Sequence, residues 1–507
     1  MHQSKSFALL ACAALLWACA TDFTIDNDAD DGTSDPAGDT DATLDGEDVS
    51  PDVPTDGPED VPTDEPPPSV ECRLDRTKDF LFPTGYGGTN IEAGCWSSGG
   101  DFGCQQGNVW ITRLGSRLVV LYGGDQIIMG ATARAAADVI ELTDLDLMGT
   151  TPADSDFGIA YANRISDATL VRRTEDEIIL IYTVDERESS GFDRESNIEV
   201  VVFDNLTGGT LDVMMNRLFE TPVHESTGDL VLPSAVMSPT TGRSHIFFGI
   251  RVDGGEGWEH MQIWGNFMNP GGLRTGSFTS YTDFEPVVGD YSQMMFTARP
   301  DCIDEMVVLP WTEASLTPPL LRSGVVVIDT GTPGGYGPYV SSIAGAWRTP
   351  YEYAAAALST SALTMLGLNP PYDVVSAVAD ASTVSDTVEA EAVHSVDEPF
   401  ISEMDFFDFN DPVVLHQPGS PVHFFVHPFF HTSDGDTGHA WIFPLGPDGT
   451  PAGEPFALSM DQEIPPAFDA TIDEGNGHIF LAWMHDTPDP TVLERIPGYT
   501  IAEIICE

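Results

Sequence analysis

Basic residues are scarce in this chain, and their scarcity restricts its partners. The 507 residues include 20 Lys and Arg against 81 Asp and Glu, which gives a formal net charge of -61. Lysine occurs only at Lys5 and Lys78. Because affinity for DNA and RNA comes largely from basic side chains that neutralise phosphates, the composition argues against a nucleic-acid partner.

Long hydrophobic runs are missing after residue 19, where no stretch approaches the roughly 18 apolar residues of a transmembrane helix. The one marked run, residues 7–18, follows Lys5 as the apolar region of an export signal follows its basic start. Leu16-Trp17-Ala18-Cys19 resembles the bacterial lipobox. The resemblance implies that residues 1–18 are a signal peptide, that Cys19 is acylated, and that the lipid bilayer is a partner.

Cys12 is the competing lipidation site, but cleavage there would leave about five apolar residues where export needs roughly 7–15. We therefore expect the lipid on Cys19. By the usual sorting rule for such lipoproteins, Ala20 directly after the acylated cysteine implies the outer membrane, on its periplasmic or cell-surface side.

Residues 19–71 predict a disordered acidic tether. From Ala20 to Glu71 there are 18 acids and no base, in a sequence rich in Thr, Pro and Gly that cannot bury enough apolar area to offset its conformational entropy. Calcium binding by its aspartates is the alternative to a solvated charge run. Residues 72–507 keep 63 acids and 19 bases, a net charge near -44.

Five cysteines remain after Cys12 and Cys19 are set aside, and export places them in an oxidising compartment. Cys95 and Cys104 bracket a loop rich in Gly and Ser, which favours a disulfide between them. Cys72 and Cys506, near the two ends of the folded region, are the second predicted pair. Cys302 is left over.

A repeated pattern in residues 72–507 predicts an all-β fold, a β-propeller with seven blades as the favoured count. A segment with small or turn residues is followed by a short β-rich run seven times, at spacings of about 50 to 70 residues that suit one four-stranded blade. Turn signals stand before several of the runs, at residues 113–116, 174–176, 239–242, 417–420 and 473–477. The runs are residues 118–122, 178–182, 245–249, 306–310, 372–376, 423–427 and 478–482. The fifth copy is weak, because residues 354–368 could form a helix and leave six blades with an insertion.

Propellers are commonly closed by an N-terminal strand that pairs with the last blade. Residues 70–74 and 500–506 are placed to pair in this way, and a disulfide between Cys72 and Cys506 would lock the pairing.

One eight-residue segment resembles the Asp-box of sialidases and related propellers. It contains Asp434, Asp436, Gly438 and Trp441 at the family's spacing, with Asp in place of the usual first Ser. In that family the box is a structural turn. Arg495-Ile496-Pro497 resembles the arginine motif of sialidase catalytic domains but lies at the opposite end of the chain, and a plain turn at Pro497-Gly498 explains the same residues.

Histidines concentrate between residues 416 and 439. His423 and His427 fall on one face of a predicted strand, and His431 joins them after a bend at Pro428, so the three form a candidate metal site. Zinc is the structural ion considered, with Asp434 or Asp436 as a fourth ligand. Histidines packed beside the neighbouring phenylalanines are the alternative. Apart from calcium or zinc, no cofactor is predicted.

The overall layout resembles uncharacterised bacterial lipoproteins that carry an acidic tether and a propeller-like domain. No complete catalytic set can be named, so the favoured function is non-enzymatic binding or scaffolding of a glycan, peptide or protein, by a monomer. The alternative is a carbohydrate-active propeller hydrolase, sialidase-like or of another glycoside hydrolase type. Two or more carboxylates gathered with Arg or Tyr in the axial channel would favour the enzyme.

Overall fold

A computed structural model describes part of the chain, beginning at residue 69. The described ranges are residues 69–82, 95–98, 101–104, 107–124, 134–152, 168–187, 194–207, 210–219, 227–253, 259–269, 278–280, 288–292, 294–297, 299–303, 306–316, 319–329, 336–340, 343–344, 353–359, 362–369, 373–380, 388–389, 391–395, 413–417, 419–431, 437–460, 468–488 and 495–507. The chain divides into two units, residues 1–65 and 66–507. The predicted signal peptide, Cys19 and nearly all of the tether lie outside the described residues.

Within these ranges the regular elements are all β-strands, as predicted, and no helix there is long and apolar enough to cross a membrane. The strands of the first half are β1 (Cys72–Leu81), β2 (Cys95–Ser98), β3 (Asp101–Cys104), β4 (Gly107–Leu114), β5 (Arg117–Gly124), β6 (Arg134–Glu141), β7 (Leu147–Pro152), β8 (Ala168–Arg172), β9 (Glu177–Arg187), β10 (Arg194–Thr207), β11 (Thr210–Phe219), β12 (Thr227–Met237), β13 (Ser244–Asp253), β14 (Glu259–Met268), β15 (Phe278–Ser280) and β16 (Val288–Ser292).

The strands of the second half are β17 (Met294–Thr297), β18 (Asp301–Ile303), β19 (Met306–Leu316), β20 (Pro319–Asp329), β21 (Tyr336–Val340), β22 (Ile343–Ala344), β23 (Tyr353–Ser359), β24 (Ala362–Asn369), β25 (Asp373–Asp380), β26 (Val388–Glu389), β27 (Glu391–Ser395), β28 (Val413–His416), β29 (His423–His431), β30 (Thr437–Leu445), β31 (Phe456–Ser459), β32 (Phe468–Ile472), β33 (Ile479–Pro488) and β34 (Arg495–Cys506).

Most of these strands form antiparallel sheets of four or five strands in which chain neighbours pair. In the described part of the chain there are seven such sheets, besides the pairs β2–β3 and β22–β26. Their strand orders are β4-β5-β6-β7, β11-β10-β9-β8, β12-β13-β14-β15 with β16, β17-β19-β20-β21 with β18, β23-β24-β25-β27, β28-β29-β30-β31 and β1-β34-β33-β32.

The predicted β-rich runs are confirmed as strands, and six of the seven coincide with the second strand of a sheet. The fifth, residues 372–376, falls instead in the third strand β25. The helix considered for residues 354–368 is wrong, because these residues form β23 and β24, whose paired register runs from Tyr353 opposite Gly367 to Ser359 opposite Ala362. Pairing with β24 overrides the helix preference of the alanines in this segment.

Hydrophobic side chains fill the spaces between sheets that follow one another in the chain. The sheet of β4–β7 shares one core with the sheet of β8–β11, and a second core lies between β8–β11 and β12–β16. Further cores join β12–β16 to β17–β21, join β28–β31 to the sheet of β32–β34, and join that last sheet to β4–β7. The sheets of β4–β7, β8–β11, β12–β16 and β32–β34 therefore each contribute to two of these cores.

The first strands of the sheets contact one another in chain order. The contacts are β4 with β8, β8 with β12, β12 with β17 and β18, β18 with β23, β23 with β28, β28 with β32, and β32 with β4. We call these eight strands the first strands. Their contacts therefore return to the strand from which they start.

The two ends of the described chain share one sheet, as predicted. β1 pairs with β34 from Cys72 opposite Cys506 to Leu81 opposite Gly498, and the predicted disulfide between Cys72 and Cys506 is present. Pro497 and Gly498 lie inside β34, so the turn considered there is wrong. The close pairing of β34 with β1 requires glycine at position 498, because a Cβ atom there would stand 2.2 Å from the carbonyl oxygen of Phe80.

Cys95 and Cys104 face each other in the β2–β3 register. Their side chains lie outside what the structure describes, so the disulfide between them stays a prediction.

Candidate functional site

Arg299 connects two sheets that are not neighbours in the chain. It precedes β18, and its guanidinium Nη1 donates to Oδ1 of Asp469 in β32. Asp469 also accepts a hydrogen bond from the backbone N–H of Ile111 in β4, at 2.9 Å, and one from its neighbour Ala470. Three sheets therefore meet at a single carboxylate.

Burial of Asp469 acts against its ionised form. The residue is 1% exposed, while the Arg299 side chain keeps 30% of its surface in contact with solvent. Burial raises the pKa of Asp469, and this effect outweighs the opposing charge and hydrogen bond of Arg299. Arg299 thus lies at the solvent side of a buried acid.

A second contact between non-neighbouring sheets involves His416, the last residue of β28. Its Nε2 lies 2.7 Å from Oδ2 of Asp301 in β18, and its Nδ1 lies 2.5 Å from Nδ1 of His423 in β29. Burial lowers the pKa of His416, but the charge of Asp301 and its hydrogen bond outweigh burial, so that the pKa is raised. Burial and the charge of His416 lower the pKa of His423 to about 4.

These two contacts belong to one site, because Arg299 and Asp301 are two residues apart on the same segment. Asp469 is bound to the first and His416 to the second. We call Arg299, Asp301, His416, His423 and Asp469 the cross-sheet cluster. It holds two carboxylates, one guanidinium and two imidazoles, all on or beside first strands.

Ion pairs between turns lie beside the first strands of three sheets. Arg113, at the end of β4, pairs with Asp473 after β32 at 2.9 Å. Arg172, at the end of β8, pairs with Glu474 at 3.2 Å and with Glu175. Several of the few basic residues of this acidic chain are therefore neutralised at the turns between first and second strands.

A separate buried polar network lies between the sheets of β4–β7 and β32–β34. Asp138 accepts hydrogen bonds from Tyr499 at 2.6 Å, from Thr150 at 2.6 Å and from Tyr122 at 3.3 Å. Burial raises the pKa of Asp138 against these hydrogen bonds. Both Asp138 and Tyr499 are at most 2% exposed, so the network serves packing of the two sheets.

The predicted metal-binding histidines do not come together in the described structure. β29 pairs with β30 without a register shift, and a strand rises about 3.3 Å per residue, which sets His423 and His427 about 13 Å apart along the strand. The described residues contain no group of three or more His, Cys, Asp and Glu that could hold a metal. The side chain of His431 is not described, so the three-histidine site stays a prediction that the strand geometry does not favour.

The Asp-box-like segment is described only in part. Asp434 and Asp436 lie outside the described residues, whereas Gly438 and Trp441 belong to β30. The Trp441 ring lies 5.4 Å from the ring of His394 in the neighbouring sheet and stacks on Phe443 at 6.1 Å. Trp441 therefore packs between two sheets, which suits the structural role that the resemblance implies.

No local pattern marks Arg299, Asp301 or Asp469 as site residues. Their contacts join segments 115 to 170 residues apart, and such pairings have no local signature. The pairing of His416 with His423 can be predicted from the sequence, because a turn at residues 417–420 makes the histidines near its two ends cross-strand partners.

Comparisons with known proteins leave the family open. No protein-family model matches the chain, and no curated protein matches it. Solved structures that align with it include a Trypanosoma rangeli sialidase in complex with the inhibitor DANA, at 10% identity and a TM-score of 0.44, over 85% of this chain and 60% of that protein. The Hadza microbial sialidase Hz136 aligns at 12% identity and a TM-score of 0.44, over 74% of this chain and 73% of that one.

The parainfluenza virus 5 hemagglutinin-neuraminidase ectodomain aligns at 9% identity and a TM-score of 0.39, over 67% of this chain and 80% of that one. The chain thus spans about three fifths of the length of the trypanosomal enzyme. Similarity at this level assigns no activity.

Proposed function

We propose that residues 72–507 form a seven-bladed β-propeller whose first strands surround a common hub. Two observations support this arrangement. The described sheets follow one another as four- or five-stranded meanders, and their first strands contact each other in an order that returns from β32 to β4. The pairing of β1 with β34 in one sheet also supports this arrangement, because propellers are commonly closed in this way.

We further propose that this hub acts on a carbohydrate and that the protein is a glycoside hydrolase. The observation that carries the proposal is the segment of residues 299–301, in which Arg299 binds the carboxylate of Asp469 and Asp301, two residues later, supplies a second carboxylate that binds His416. Hydrolysis of a glycosidic bond commonly uses two carboxyl groups, one protonated and one ionised. Two carboxyl groups differ in this way when their surroundings shift their pKa values apart.

The environments assign the two roles. Asp469, whose pKa is raised by burial, is the proton donor. Asp301, which accepts a hydrogen bond from the imidazole of His416, is the ionised partner that acts as base or nucleophile. Arg299, the more exposed member of its ion pair, contacts the sugar and must leave Asp469 before the proton is transferred.

A second function, non-enzymatic glycan binding, is favoured by one specific observation. Asp469 already accepts hydrogen bonds from Arg299 and from two backbone N–H groups, of Ile111 and Ala470. A carboxylate with all of these donors in place is a structural anchor. If the anchor holds, the cluster binds a ligand through Arg299 without cleaving it.

Hydrolysis of a panel of fluorogenic glycosides, sialosides included, by the full-length chain distinguishes the two functions. We expect one glycoside class to be cleaved and Asp469→Asn and Asp301→Asn each to lower kcat by about 100-fold or more. Asp138→Asn is the matched control, since Asp138 is also buried but lies outside the cross-sheet cluster.

A glycan array with the same proteins completes this test. If the wild type binds a glycan, the Arg299→Gln variant does not, and no glycoside is cleaved, the protein is a glycan-binding protein and the hydrolase proposal is wrong. Neither turnover nor binding would end the carbohydrate proposal.

We also propose that the chain is exported and anchored to the outer membrane by an acylated Cys19. The support is the lipobox-like segment, the apolar run before it and Ala20 after it. Metabolic labelling with a fatty-acid analogue should mark the wild-type chain and the Cys12→Ser variant but not Cys19→Ser. Equal labelling of the Cys19→Ser variant would contradict this anchor.

A further inference from the structure

His416 and His423 face each other across the first hairpin of their sheet. They are register partners at the end of β28 and the start of β29, so their side chains leave the same face of the sheet. Their rings are nearly perpendicular, with centroids 4.6 Å apart, and the two Nδ1 atoms are the atoms that meet, at 2.5 Å. This separation is below the usual range of about 2.7–3.2 Å for a hydrogen bond with a nitrogen donor.

Asp301 fixes which nitrogen of His416 is available. Its Oδ2 lies 2.7 Å from Nε2, and a carboxylate at that nitrogen keeps the proton there in the neutral ring. The lone pair of that ring then stands on Nδ1, directed at His423. A carboxylate that receives the far N–H of an imidazole is the arrangement that orients histidines toward a bound metal.

We propose that His416 and His423 bind a divalent first-row transition metal, such as Zn²⁺ or Cu²⁺, through their two Nδ1 atoms. Imidazole nitrogens suit these ions, and bonds of 2.0–2.1 Å at a tetrahedral angle place two nitrogen ligands about 3.3 Å apart. The rings therefore need to separate by less than about 1 Å. His416 stands at the end of a short strand beside a turn that contains Gly419, where such a movement disturbs little.

The protein supplies two ligands in this site, because the described residues offer no third His, Cys, Asp or Glu at metal-binding distance. Water or a bound molecule fills the remaining positions, which leaves one more open position than in zinc sites with three protein ligands. The site shares only His423 with the set of His423, His427 and His431 predicted from the sequence. It shares Asp301 with the carbohydrate proposal but needs neither Arg299 nor Asp469, so metal binding is tested apart from glycoside hydrolysis.

Calorimetric titration of the full-length chain with ZnCl₂ and with CuCl₂ tests the proposal. We expect one site per chain whose affinity falls by at least about 10-fold in His416→Ala and in His423→Ala, and by about 10-fold in Asp301→Asn. His439→Ala, which removes a histidine on the next strand, should bind as the wild type does. Binding of either ion to the acidic tether is common to the wild type and the four variants and cancels in the comparison.

Electron paramagnetic resonance of the Cu²⁺-loaded wild-type chain gives a result that does not depend on any variant folding. The expected spectrum shows hyperfine coupling to two imidazole nitrogens. A spectrum with oxygen ligands alone, or an affinity unchanged in both histidine variants, would overturn the site and leave the two rings as a hydrogen-bonded pair.

Discussion

Tyr499 in β34 donates a hydrogen bond of 2.6 Å to Asp138 in β6, and this contact joins β34 to the sheet of β4–β7. The two residues are 361 positions apart, and both are buried among the aromatic and aliphatic side chains of one core. Phe80 of β1 stacks on the Tyr499 ring at 4.9 Å, so the N-terminal strand, the C-terminal strand and the sheet of β4–β7 meet at the same place.

Removal of the Tyr499 hydroxyl should weaken this junction. Tyr499→Phe keeps the ring and takes away a hydrogen bond of 2.6 Å to the buried carboxyl of Asp138, which typically costs about 1–3 kcal/mol of the free energy of unfolding. Urea denaturation measures the effect. Tyr122→Phe, whose hydroxyl lies 3.3 Å from the same carboxyl, should cost less, and equal losses would contradict the assigned roles.

Substitution of Gly498 tests the close approach of β1 and β34. The Cβ atom of Gly498→Ala would stand 2.2 Å from the carbonyl oxygen of Phe80, so one strand must shift, at a cost of about 1–3 kcal/mol. Gly475→Ala is the control, because the nearest atom to its Cβ would be a side-chain oxygen of Asp473 at 3.4 Å. Two variants with the same midpoint in urea would show that β1 does not pair as described.

The disulfide between Cys72 and Cys506 should stabilise the domain through the unfolded state. It encloses a sequence separation of 434 residues, and a cross-link of this kind typically contributes about 2–4 kcal/mol. Cys72→Ser with Cys506→Ser should lower the urea midpoint accordingly, and Cys302→Ser should not. Mass spectrometry of native protein that finds both thiols free would refute the cross-link.

His245 should make stability fall in mild acid. Burial, with the charge of Arg243, lowers the pKa of His245 to about 4 from the ordinary 6.5. Its contribution to the free energy of unfolding is therefore fully present above pH 6.5 and is lost as the pH falls toward 4. At pH 4.5 the free energy of unfolding is lower than at pH 7 by about 2–3 kcal/mol. His245→Gln, neutral throughout, should show a smaller loss between these pH values, and an identical loss would contradict a buried neutral imidazole.

The strands and turns are predictable from the sequence, because runs of β-branched and aromatic residues and turns with glycine depend on residues that are close together in the chain. Gly115, Gly242, Gly419 and Gly477 all have positive φ, at turns that the sequence had marked between first and second strands. The fifth sheet was harder, because the alanines of residues 354–357 favour a helix by propensity, and pairing with β24 and β25 overrides that preference.

The candidate site was less accessible from the sequence, since its contacts depend on which sheets meet. Spacing along one strand suggested His423 with His427 and His431, whereas pairing across the hairpin brings His423 to His416. Arg299 and Asp469 carry no motif around them. Only the arrangement of the first strands brings their charges together.

The central claim is that first strands of distant sheets meet at one hub, and a double-mutant cycle on Arg299 and Asp469 tests it most directly. Unfolding free energies are measured for the wild type, Arg299→Gln, Asp469→Asn and the double variant. The described contact predicts a coupling energy of about 1–3 kcal/mol, because the two side chains share one buried ion pair. A coupling below about 0.5 kcal/mol, the value usual for independent sites, would contradict the hub and the site built on it.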